Sequence, residues 1–163
     1  MKDKDKNSDS DKSTRYRLLL RQLDERLLAG GTFTAVLTDA AALLHRLPGF
    51  LWTGFYLARG GELRLGPFCG ADACERIPFG KGVCGTAWKE RRTIVVPDVE
   101  QFPGHIACSS ASKSEIVVPL FIRQEVVGVL DVDSDRYGAF DGTDALFLEL
   151  AAAKLAEVAP NEA

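Results

Sequence analysis

The stretch SEIVVPLFIRQEVVGVLDVDS, residues 114–134, decides the fold. Two apolar, β-branched runs, 114–122 and 125–133, flank a short polar turn, a pattern that predicts a β-hairpin. With Arg123, Gln124 and Glu125 as the loop, the pairing sets Glu115 opposite Asp133. Side chains alternate along a strand, so Asp131 and Asp133 share a face and Glu115 joins them. A loop one residue shorter would turn Glu115 to the other face, because a one-residue slip inverts every side chain. The expectation is therefore a cluster of three acids at the end of a strand otherwise filled by Val127 and Val129. A solvated strand end is the plain alternative.

Around this hairpin the chain alternates recognisable elements. TIVVPDV (93–99) reads as a buried strand closed by Pro97-Asp98, and the loop 100–112 that follows is longer than a connection needs. VCGTAWKE (83–90) is a short helix opened by Gly82. FLWTGFYLA (50–58) turns at Gly60-Gly61 into ELRLG (62–66), a second hairpin. Leu19, Leu20, Leu23 and Leu27 predict a helix over 14–29, ended by Gly30-Gly31. Thr32 caps a second helix through Leu44, and Asp141 with Asp144 opens a last helix over 144–159. Short turns link several strands, so the class is α+β: a central, mostly antiparallel sheet with helices packed on it.

At 163 residues the chain is sized for one hydrophobic core. Residues 1–13 lack apolar side chains after Met1 and are expected to form a disordered tail, with the folded domain over 14–160. A net charge of -3 gives no electrostatic case for nucleic acid. No run is apolar and long enough for a membrane span or a signal segment, so a cytoplasmic protein is expected. In a reducing compartment the cysteines at 69, 74, 84 and 108 read as thiols, metal ligands or redox centres rather than permanent staples.

Two of them sit where thiolates form. Cys108 lies in FPGHIACSSASK with His105 nearby and hydroxyls at Ser109 and Ser110. Cys84 falls in the first turn of a helix, where unpaired N–H groups favour a thiolate. Zinc held by some of Cys69, Cys74, Cys84, His105 and Cys108 is a competing reading, but no Cys-x-x-Cys pair supports it. Trp52 and Tyr56 are four apart on a strand and share a face, fit either for core packing or for walling a small ligand.

RIPFGKGVCGTA (76–87), FPGHIACSSASKSEIVVPL (102–120) and GVLDVDS (128–134) together resemble the free methionine-(R)-sulfoxide reductases, which are built on a single GAF-type domain. The resemblance runs from about Leu18 to Ala156. It implies a GAF-type fold and reduction of free methionine-(R)-sulfoxide through a sulfenic acid and an intramolecular disulfide, recycled by thioredoxin or a similar dithiol. By motif, Cys108 is the expected nucleophile, and Cys74 and Cys84 are candidate resolving thiols, with attack by Cys84 itself left open. Glu115, Asp131 and Asp133 are the expected substrate-binding acids, with Trp52 and Tyr56 around the methylsulfinyl group. No cofactor and no metal are expected. A homodimer through helices 14–29 and 144–159 would suit such a fold. Cys69 has no counterpart in the family pattern and reads as incidental, although its closeness to Cys74 would allow an off-pathway disulfide between them. The alternative function is a GAF-type sensor that binds a small ligand without turnover.

Overall fold

The computed structural model describes residues 2–106, 108 and 111–160. The chain runs α1 (Lys2–Leu28), α2 (Phe33–Leu44), β1 (Trp52–Arg59), β2 (Glu62–Cys69), β3 (Arg76–Pro78) and α3 (Gly82–Glu90). It continues through β4 (Ile94–Val96), a 3-10 turn (Val99–Gln101), β5 (Ser114–Ile122), β6 (Glu125–Ser134) and α4 (Gly142–Glu157). One six-stranded sheet forms in the order β3-β2-β1-β6-β5-β4, and every pairing is antiparallel. The expected α+β class is thus the observed one.

The decisive hairpin reaches the expected register by a different route. Its turn is the two-residue Arg123-Gln124, both at positive φ (50° and 70°), which suits the right-handed twist of the strands. This is the shorter loop that would have turned Glu115 away. The ladder shifts between Leu120 and Phe121, pairing Leu120 with Gly128 but Phe121 with Val126. Val127 is the extra residue of a β-bulge, and beyond it Glu115 again faces Asp133.

Because β5 lies between β4 and β6 and is covered on both sides, alternate residues serve two cores. Ile116, Val118, Leu120, Leu130, Val132 and Phe55 pack under α1, α2 and α4 with Tyr16, Leu23, Leu37 and Leu148. The opposite face carries Trp52, Tyr56, Val117 and Val129 against Val83, Cys84 and Ala87 of α3. The first core holds the helices; the second is the lining of the site.

The helix ends follow their capping chemistry. Thr32 accepts from Ala35 N–H at the start of α2. Asp141 and Asp144 form a reciprocal capping box on α4, and Asp144 also accepts from the Tyr16 hydroxyl at 2.5 Å and from Lys12 at 2.8 Å. That anchoring differs from the sequence expectation of a tail through residue 13, since α1 begins at Lys2. The physical reason is propagation: once Tyr16, Leu19, Leu20 and Leu23 nucleate a packed helix, each further residue adds one hydrogen bond. Two further differences are local. A short strand, β3, forms within the segment read only as leading into α3, and β2 extends to Cys69. No helix is long and apolar enough to cross a membrane among the described residues.

Candidate active site

β5 and β6 supply the acids. Glu115 pairs with Asp133, and Asp131 pairs with Val117 on one side and Gly54 of β1 on the other. Trp52 pairs with Asp133 and Tyr56 with Val129, so the two aromatic residues rise on the same face as the acids. Gly54 between them is required by space: a Cβ there would lie 2.5 Å from Phe68 Cβ and 2.6 Å from the Trp52 ring. The Trp52 ring occupies that room, stacked on Phe68 with centroids 5.4 Å apart and on Tyr56 at 6.0 Å.

These aromatic residues also hold the loop between β2 and β3. Trp52 Nε1 donates to the Ala71 carbonyl at 3.0 Å, and the Tyr56 hydroxyl donates to the Cys74 carbonyl at 2.9 Å. The loop is thereby fixed with Cys74 at the pocket, where it forms a disulfide with Cys108 (Cα–Cα 5.3 Å, 34 residues apart). Cys69 and Cys84 remain thiols. Cys69 does not pair with Cys74: Cys69 packs with the helical core and Cys74 with the site core.

Trp52, Tyr56, Cys84, Cys108, Glu115 and Asp133 are among the residues lining one pocket, about 520 Å³ of space continuous with solvent. Asp131 lines it too, so the structure brings together every residue expected at the site, Cys74 closing it through the disulfide. Three lining residues carried no usable signal in the sequence: Asp72, Lys81 and Ser112. Each lies in a connecting segment whose direction depends on the packed sheet. His105, noted for its closeness to Cys108 and as a possible zinc ligand, brings Nε2 to 3.8 Å from Glu115 Oε1. Burial lowers its pKa, opposed by Asp131. Ser109 and Ser110, also noted beside Cys108, lie outside the described residues.

The electrostatics are those of acids crowded together and largely buried. Burial first and then Asp131 push Glu115 and Asp133 well above the usual carboxylate range; Asp133 raises Glu115 further, while hydrogen bonds with Glu115 and Ser112 draw Asp133 partly back. Asp131 is raised by burial but pulled back by hydrogen bonds from Glu115 and Cys84 and by His105. Glu115 and Asp133 are therefore the groups that keep protons, and Asp131 is the best placed to carry charge.

Cys84 requires a correction. Its place in the first turn of α3 is as expected, yet its pKa is raised well above the thiol value, by burial first and then by Asp131, Glu115 and Asp133. The magnitudes decide this. A helix N-terminus contributes up to about 2 kcal/mol toward an anion. A single carboxylate within 4.8 Å opposes it by about 3 kcal/mol at an effective dielectric constant near 20, before any desolvation. Cys84 is a buried protonated thiol, not a thiolate.

Comparison with known proteins finds close relatives over most of the chain. The GAF domain family model matches residues 31–158. GAF domain-containing protein A of Dictyostelium discoideum is 49% identical over 86% of this chain and 90% of its own length. Free methionine-R-sulfoxide reductase of Escherichia coli is 48% identical, covering 81% of each chain. The X-ray structure of free methionine-R-sulfoxide reductase from Neisseria meningitidis, in complex with its substrate, superposes with a TM-score of 0.88 at 48% identity, over 90% of this chain and 89% of that one. The chain belongs to the GAF-domain family and, within it, to the oxidoreductases known as free methionine-R-sulfoxide reductases.

Proposed function

We propose that this protein reduces free L-methionine-(R)-sulfoxide to methionine, with Cys108 as nucleophile and Cys74 as resolving thiol. The observation that carries the reading is the Cys74–Cys108 disulfide beside a pocket of proton-holding carboxyls. In the reduced enzyme the Cys108 thiolate attacks the sulfoxide sulfur while a protonated carboxyl, Glu115 or Asp133, gives its proton to the oxygen. The substrate sulfur gains two electrons and leaves as methionine; the Cys108 sulfur loses two and becomes a sulfenic acid. Cys74 condenses with it, releasing water and forming the disulfide. Thioredoxin or another dithiol then returns both thiols by exchange.

Substrate binding follows from charge. Asp131 is matched to the α-ammonium group, and the α-carboxylate is matched to the N-terminal turn of α3, whose Gly82 and Val83 line the pocket beside Lys81. Trp52 gives the methylsulfinyl end an apolar wall. A peptide-bound sulfoxide lacks the ammonium and would leave Asp131 buried without a partner, which selects the free amino acid. Cys84, protonated and hydrogen-bonded to Asp131, supports that carboxylate rather than attacking. The cytoplasm is the compartment that suits a thiol enzyme of this kind.

Turnover of the free R epimer with excess dithiol, beside the S epimer and the N-acetylated R epimer, tests the reading. Selective consumption of the free R form and its loss in Cys108→Ser are expected, while Cys74→Ser should complete one turnover without forming the disulfide. No turnover by the folded, reduced protein would leave a binding module instead.

A further inference from the structure

We propose that the floor of this pocket is also a site for a divalent cation of the borderline-soft class, Zn²⁺ above all, bound by Cys84, Glu115 and Asp131. One ligand atom from each residue lies within 4.8 Å of the other two, and all three residues are buried. Asp131 Oδ1 is buried and accepts no hydrogen bond among the described residues, although Asp131 is only 5% exposed. An unpartnered carboxylate oxygen at that depth costs free energy unless a cation or donor meets it. This second observation sets the cluster apart from acids that merely crowd together.

The ligands come from three elements, α3, β5 and β6, so the packed sheet and helix hold them before any ion arrives. In a tetrahedral zinc site, thiolate sulfur and carboxylate oxygen stand about 3.6 Å apart. The present set, within 4.8 Å, must contract to that spacing when the ion binds. Three protein ligands leave the fourth position for water. Magnesium and calcium prefer oxygen alone, so a ligand set containing a thiol selects against them. Binding displaces the protons held by Cys84 and Glu115, and the ion's charge then offsets the repulsion among the deprotonated ligands.

The ligand set differs from any that the cysteine spacing suggests. Cys74 and Cys108 are bound to each other, and Cys69 packs on the other side of the sheet. None of the three ligands belongs to the disulfide, so the oxidised protein keeps the site intact. If the acids bind the substrate ammonium as proposed above, zinc and substrate exclude each other, and the ion is an inhibitor rather than a cofactor.

The test is titration of the oxidised full chain with zinc chloride by calorimetry, and with cobalt(II) by absorption spectroscopy. One equivalent of zinc and a thiolate-to-cobalt charge-transfer band are expected. Cys84→Ser should abolish the band and weaken zinc by more than the roughly 100-fold lost with a supporting hydrogen bond. Asp131→Asn should weaken zinc while keeping the fold, and Cys69→Ser should change neither reading. Absence of both heat and band from the folded protein would overturn the site, as would zinc binding undiminished in Cys84→Ser. Neither reading requires turnover, so failure here leaves the reductase proposal standing, and failure of turnover leaves the metal site standing.

Discussion

Replacing Glu115 with glutamine should make the fold more stable and the protein less active. The Glu115 and Asp131 ligand oxygens lie within 4.8 Å in a buried pocket. Ionised together they would repel by about 3 kcal/mol at an effective dielectric constant near 20. The fold avoids this by keeping Glu115 protonated, its pKa raised by burial first and by Asp131 and Asp133 next. The unfolded chain releases that proton near pH 4.3, at about the ordinary glutamate value. Above that point the native state binds more protons than the unfolded state, so stability falls as pH rises until the folded pKa is passed. Glutamine is neutral at every pH, and its amide N–H can donate to Asp131 and Asp133 as the glutamic acid proton does. The gain should therefore be near zero around pH 4 and grow to about 2–3 kcal/mol in alkaline solution. For a domain of this size that is roughly 5–10 °C in Tm. Thermal unfolding of both oxidised proteins, followed by circular dichroism at about pH 5 and about pH 8, measures it. A Tm at the higher pH equal to or below that of the parent, or a difference that does not change with pH, would refute the account of the acid cluster.

Other perturbations test the scaffold that holds the site. Reducing the Cys74–Cys108 disulfide opens a loop of 34 residues, worth about 4 kcal/mol in chain entropy, so dithiothreitol should lower Tm by roughly 8–15 °C. An unchanged Tm would count against the entropic account. Gly54→Ala places a methyl group 2.5 Å from Phe68 Cβ and should destabilise by about 1–3 kcal/mol, with weaker substrate binding as Trp52 is displaced; chemical denaturation and KM read the two effects. Gln124→Gly relieves the left-handed conformation at φ 70° and should add about 1 kcal/mol without altering turnover. The Arg91 bond to the Gln124 carbonyl survives that change because it is made to the backbone, so a loss of stability would show that the turn is held by the glutamine side chain.

Much of the architecture was legible from local pattern. The pattern in 114–122 and 125–133 specified two strands, and Thr32 and Asp141 marked helix starts that the structure keeps. Trp52 with Tyr56, and Asp131 with Asp133, could each be assigned to a shared face because a strand repeats every two residues. Those relations depend on neighbours in the chain or on a single hairpin, and the sequence by itself determined them.

Tertiary structure decided the rest. The register that unites the acids depends on a two-residue turn and the bulge at Val127 offsetting each other, and no local preference announces where an extra residue will be placed. Cys74 meets Cys108 across 34 residues of sequence, in a loop that Trp52 and Tyr56 of another strand hold through two backbone carbonyls. Cys84 illustrates the physical reason most directly. Its sequence neighbours supply a helix N-terminus that favours a thiolate, while the folded sheet surrounds it with Asp131, Glu115 and Asp133 and removes the water. Interactions within one turn of helix are readable along the chain. Burial and the charges that share it exist only once the distant strands have packed, and here they outweigh the local term.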